Sequence, residues 1–130
     1  MDKEAVSHLA RIADALERIK PPAPIAHNLK DATAYIWQGE LHQLETVDSV
    51  SRIDLSLIQG VDLQKDILLS NTLQFAIGLP ANNALLWGAR GMGKSSLIKA
   101  IHGEALKQFP TQIALIEIHR EDIASLPVLL

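Results

Sequence analysis

Gly88-Ala89-Arg90-Gly91-Met92-Gly93-Lys94-Ser95, near the middle of the chain, is the stretch that decides the fold. A glycine, four residues and then Gly-Lys-Ser is the spacing of a phosphate-binding loop. Each element answers a chemical need. Glycines let the backbone curl and aim several N–H groups at phosphate oxygens. Lys94 supplies a compact, flexible cation for the outer phosphates. Ser95 offers a hydroxyl oxygen to Mg²⁺. A helix that begins here points its positive dipole end at the anion.

Average residue usage makes this pattern a chance event in roughly 1 in 200 chains of this length, so its neighbours must be read too. Ahead of the loop stands Ala84-Leu85-Leu86-Trp87, a short apolar run introduced by Pro80, Asn82 and Asn83. It reads as a buried strand. Behind the loop, from Lys94 to about Leu106, Leu97, Ile101 and Ala105 recur four apart with Ile98 beside them. That spacing predicts one face of a helix. Strand, glycine loop and helix is the context that the motif requires. The competing reading is a glycine-rich turn between a strand and a helix.

Length bounds the answer to one domain: the chain has 130 residues, 48% hydrophobic, with a formal net charge of −3. Nothing in that balance argues for a large nucleic-acid surface. The absence of cysteine excludes disulfides and cysteine-based zinc sites. No apolar run approaches membrane-spanning length, and Met1-Asp2-Lys3-Glu4 lacks the core of a signal peptide. The expectation is a cytoplasmic protein. The end, Leu126-Pro127-Val128-Leu129-Leu130, is apolar. It reads either as a segment docked on the body or as a chain cut within a larger domain.

Residues 2–20 predict an amphipathic helix. Val6, Leu9, Ile12, Ala13, Leu16 and Ile19 fall on one side, with Lys3, Glu4, Arg11, Asp14, Glu17 and Arg18 on the other. Lys20-Pro21-Pro22-Ala23-Pro24 ends it and reads as a semi-rigid linker. The helix either pairs with a partner chain or packs on its own domain. The expected division is therefore residues 1–24 as helix and linker, and 25–130 as the nucleotide-binding part. Asp31 to Trp37 fits a short helix or an extended piece, with Tyr35 and Trp37 filling a pocket in the protein. Gly39 marks a turn.

Ile53, Leu55 and Leu57 alternate with Asp54 and Ser56, as in a short strand. Asp62, after Gly60 and Val61, is the expected N-cap of a helix reaching about Ile77. Its apolar stripe is Leu69, Leu73, Ala76 and Ile77, and Gly78 and Pro80 stop it. After a break at Phe109-Pro110-Thr111, Ile113 to Ile118 reads as a second buried strand, suited to a parallel sheet. With 84–87 it would complete a right-handed βαβ unit.

The stretch Leu57-Ile58-Gln59-Gly60-Val61-Asp62-Leu63-Gln64-Lys65, followed by Asn82 to Ala100 with its glycine loop, resembles the start of an AAA+ ATPase module. It is similar, more narrowly, to an uncharacterised bacterial family of AAA+-like ATP-binding proteins, filed as a domain of unknown function. The likeness runs from about Tyr35 to the end. It implies an α/β P-loop NTPase fold of three layers, α/β/α, of which this chain holds the N-terminal portion, about half. It also implies a role for Ile58, Gly60 and Val61 against the adenine ring of ATP. In the loop, Gly88, Gly91, Gly93 and Lys94 would hold the β- and γ-phosphates. Ala89, Arg90 and Met92 would contribute backbone, Ser96 an N–H, and Ser95 the contact to Mg²⁺. Met92 stands where such loops usually carry a small or hydroxylated residue.

Hydrolysis in this class needs an acidic pair after an apolar strand, to hold Mg²⁺ and polarise water. Glu117 lies inside a predicted strand, and Glu121-Asp122 follows His119-Arg120 in a polar turn. These acids read as solvated or capping. Hydrolysis is therefore expected only in a longer intact protein. The alternative is a nucleotide-responsive interaction module that binds ATP without turning it over, with helix 2–20 engaging a partner protein or a second copy. No Asn-Lys-x-Asp run for guanine is present. His8, His27, His42, His102 and His119 show no metal-ligand spacing. Ser95 and Ser96 lack a nucleophile-elbow setting.

Overall fold

The computed structural model describes residues 2–20, 28–110 and 113–130. The expected linker at Pro21 to Pro24 and the break residue Thr111 lie outside them. The fold is mixed α/β, with four helices and a small three-stranded sheet among the described residues. No helix among them is long and apolar enough to cross a membrane.

Helix α1, Lys3–Ile19, forms as its periodicity predicts. The Asp2 carboxylate caps it by accepting from the Glu4 N–H at 3.2 Å. Strand β1, Ala34–Gln38, takes the extended alternative for its segment. A turn at Gly39–His42 leads into β2, Gln43–Thr46, which pairs antiparallel with β1. Helices α2, Asp62–Ala76, and α3, Lys94–Gln108, pack on one another. Strand β3, Leu115–Ile118, lies parallel to β1, with Ala34 opposite Leu115 and Trp37 opposite Ile118. The sheet order is β2-β1-β3. A 3-10 turn, Arg120–Ser125, and the short α4, Leu126–Leu129, follow.

The middle strand carries the sheet's core. Trp37 is fully buried and Tyr35 nearly so, as expected of pocket-filling aromatics. The Trp37 Nε1–H donates to Ser125 Oγ at 2.7 Å, and that hydroxyl donates to the Asp122 carbonyl at 2.6 Å. His42 stacks on Trp37 with ring centroids 6.2 Å apart. The Tyr35 hydroxyl accepts from the Ala32 N–H at 2.8 Å. Gly39 is buried where the 3-10 turn crosses it, and a Cβ there would collide with the Asp122 carboxylate and Ser125 Oγ. A second cluster joins Ala76 of α2, Ala105 of α3 and Ile113, with Leu73, Leu106 and Phe109 against it. Leu97, Ala100 and Ile101 complete the buried face of α3.

Six expectations are corrected. Residues 84–87 form no strand. Leu85 and Trp87 are each 87% exposed, and the segment pairs with none of the three strands. An extended segment becomes a strand only when a neighbour satisfies its N–H and C=O groups. The parallel neighbour of β3 is therefore β1 rather than 84–87, and the expected βαβ unit does not form. β3 itself is shorter than 113–118 and only half-buried, although Ile113 just ahead of it is buried.

Residues 55–57 are a 3-10 turn, not a strand. The Asp54 carboxylate accepts from the Ser56 N–H at 2.9 Å and from its hydroxyl at 2.7 Å. A local side-chain bond of this kind folds the backbone back and outcompetes extension. At α2, Val61 is the N-cap and Asp62 the first helical residue, without a side-chain cap bond. Asp62 instead sits in the first turn, where the helix dipole favours a carboxylate, 3.8 Å from Lys65 Nζ. The stop is as expected: beyond Ile77, the Gly78 N–H donates to Phe75 O and the Leu79 N–H to Gln74 O, a Schellman pair. Ile77 is more than half exposed rather than part of the buried stripe.

Candidate functional site

The loop between Trp87 and α3 is built by three glycines at positive φ: Gly88 at 147°, Gly91 at 83° and Gly93 at 82°. Left-handed backbone is strained for residues with a Cβ, so the curl is encoded locally. A Cβ at any of the three would meet nothing within 4 Å. The requirement is conformational, and the space where each side chain would stand is open. Arg90 and Gly91 form its turn, closed by a Met92 N–H to Ala89 O bond of 3.3 Å.

Lys94 is the first residue of α3. Its ammonium folds back over the loop and donates to Gly88 O at 2.9 Å and to Ala89 O at 2.8 Å. Gly93 precedes the helix in the left-handed region and gives no side-chain cap. The first N–H groups of a helix have no intrahelical acceptor, so those of α3 are offered outward with the positive end of its dipole. The Gly93 carbonyl accepts from the Leu97 N–H at 2.9 Å, which fixes the loop to the helix. Ser95, Ser96 and Met92 are exposed.

The second expected segment, Ile58 to Val61, is tied to α2. Lys65 Nζ donates to the Ile58 carbonyl at 2.6 Å, and the Val61 carbonyl accepts from the Lys65 N–H at 2.9 Å. Gly60 between them has φ 81°. The structure links this segment to the glycine loop through the packing of α2 on α3, and no hydrogen bond between described residues joins the two directly. A groove of about 690 Å³ runs between α2, residues 82–86 and Leu97. The chain leading to the loop is held along it by a two-point clamp. Asn71 Nδ2 donates to Asn82 O at 2.7 Å, and the Asn82 N–H donates to Asn71 Oδ1 at 2.8 Å.

Sequence reasoning missed that clamp, the Lys65 tie and a polar pair behind α3. Arg52 Nη1 donates to Lys99 O at 3.0 Å and lies 3.2 Å from Nδ1 of the buried His102. Burial, and then the Arg52 charge, push the His102 pKa down. Burial likewise lowers Arg52. Gly103 gives the guanidinium its room, since a Cβ there would press on Arg52. These partners lie 47 and 50 positions apart, which no local pattern reports. No group of three or more metal-ligating side chains is assembled among the described residues.

Residues 30–130 match the family described as a protein of unknown function, DUF815. The chain belongs to that family. Neither the curated proteins nor the solved structures contain a match to it. Within the DUF815 match lie both the glycine loop and the Ile58–Val61 segment, while α1 falls outside it.

Proposed function

We propose that this DUF815 chain is an ATP-binding module of AAA+-like P-loop type, and that residues 88–96 take the phosphates of Mg·ATP. The observation that carries the reading is the Lys94 ammonium, curled over the open glycine loop at the uncapped start of α3. Carbonyl oxygens hold that cation in the free protein, and phosphate oxygens would replace them. Backbone N–H groups of the loop, apart from that of Met92, which donates to Ala89 O, would suit the same anion together with that of Ser96, since the three glycines carry no Cβ and no side chain caps the helix start. Ser95, exposed in the first turn, is the donor suited to Mg²⁺. Ile58, Gly60 and Val61 are assigned to the adenine, with Lys65 bracing them.

We assign binding rather than turnover to these residues. Turnover needs an acidic pair beside the outer phosphate, and positioning plus electrostatics is nearly all of phosphoryl-transfer catalysis. Calorimetric titration of the chain with Mg·ATP, and with ATP in a chelator, tests the proposal. Saturable binding of Mg·ATP is expected. Ser95→Ala should weaken it while leaving metal-free binding nearly unchanged. No saturable binding in either condition would overturn the reading, and an equal loss in both would remove Ser95 from the metal.

A further inference from the structure

We propose that α1 joins this chain to further copies of itself in a parallel bundle of three or four helices. Val6, Leu9, Ile12, Leu16 and Ile19 are 51 to 76% exposed, although each forfeits the gain of burial in that state. Ala5, Leu9, Ile12, Leu16 and Ile19 recur at alternating intervals of four and three. This is a heptad, with Leu9 and Leu16 at position a and Ala5, Ile12 and Ile19 at d. Leucine at a with isoleucine at d disfavours the two-stranded coil and favours three or four strands.

The flanks agree with that count. Positions e and g are Val6, Ala13, His8 and Ala15, small or apolar with one histidine. The charged residues inside the helix, Lys3, Glu4, Arg11, Asp14, Glu17 and Arg18, all fall at b, c or f. The charge-free arc is thus wider than the narrow seam of a dimer and suits a helix touching two neighbours. At 17 residues, about 25 Å, α1 is short for a two-stranded coil, and a bundle buries both flanks of each copy.

Charge selects a second copy over a lipid surface. From Asp2 to Lys20 four acids balance four bases, so identical helices do not repel. An interfacial helix carries excess Lys and Arg with Trp or Phe on its apolar face, and α1 has neither. The proposal is independent of nucleotide binding.

Sedimentation equilibrium of the full chain tests it, with circular dichroism to verify helix content. The wild type should weigh three or four chains. Exchanging the layers, with Leu9→Ile, Leu16→Ile, Ile12→Leu and Ile19→Leu together, keeps every atom count and should shift the mass to two chains. Leu9→Asp with Leu16→Asp should reduce it to one. Association through exposed Leu85 or Trp87 would ignore both sets of changes. A monomeric or dimeric wild type, a mass unmoved by the layer exchange, or a monomer that instead binds anionic vesicles through α1 would overturn the proposal.

Discussion

Replacing Lys94 with Ala removes the side chain whose ammonium closes over the glycine loop, and its effect follows from what that ammonium does before a ligand arrives. In the free protein Nζ donates to Gly88 O and Ala89 O at 2.9 and 2.8 Å. On the proposed reading, binding would exchange those carbonyl contacts for phosphate oxygens, and lysine would contribute the difference between two sets of hydrogen bonds. Hydrogen bonds to charged groups are worth about 1.5–3 kcal/mol, and the exchange places the expected loss near the lower figure. That is roughly a tenfold rise in Kd, since about 1.4 kcal/mol is a factor of ten. The backbone N–H groups remain, so binding weakens rather than vanishes. Global stability should change by less than about 0.5 kcal/mol, because alanine suits the first helical turn and the lost bonds are solvent-exposed. The assay is titration of a fluorescent ATP analogue at low salt, beside thermal melts of both proteins. Raising the salt should narrow the difference between them, as screening weakens the ammonium–phosphate attraction. Equal affinity of wild type and Lys94→Ala at low salt, with both folded, would refute the phosphate-loop reasoning.

Other perturbations test the scaffold behind the loop. Trp37→Ala, at a fully buried ring, should cost about 3–5 kcal/mol in urea unfolding; a loss below about 1 kcal/mol would mean that Trp37 is not the centre of the sheet's core. Gly39→Ala should destabilise by roughly 1–3 kcal/mol through its collision with Asp122 and Ser125, and Asp122→Ala should recover part of that in a double-mutant cycle. The absence of coupling would contradict the close approach. His102 should titrate below 6.5, its ordinary value, because burial and Arg52 oppose the imidazolium. The unfolded chain then binds the proton more readily, so the stability from this group is full above pH 6.5 and declines as pH falls from there through the lowered folded value. NMR titration of the His102 ring checks this, and a pKa at or above 6.5 would count against it.

Helices were legible because their signals are local. The recurrence of Leu97, Ile101 and Ala105 marks the face that α3 buries, and the stop at Gly78 lies beside the turn it ends. The glycine loop was legible for the same reason: positive φ at Gly91 and Gly93 is a property of single residues. Strands were not. Ala84 to Trp87 is as apolar as a strand, yet a ladder needs a partner, and the sequence does not say which segment has one. Residues 34–38 obtained theirs from β2 across a short turn and from β3, with Ala34 opposite Leu115 far along the chain.

What the sequence by itself determined is the set of features held by bonds within a turn or two: α1, α2, α3, the curl of 88–93 and the position of Lys94 at the head of a helix. Only the tertiary structure decided the β2-β1-β3 order, the bond from Trp37 to Ser125 across 88 positions and the pairing of Arg52 with His102. The physical reason is that these contacts depend on which surfaces meet once the chain is compact. Their energy comes from burial and mutual hydrogen bonding, and neither partner's local sequence carries a record of the other.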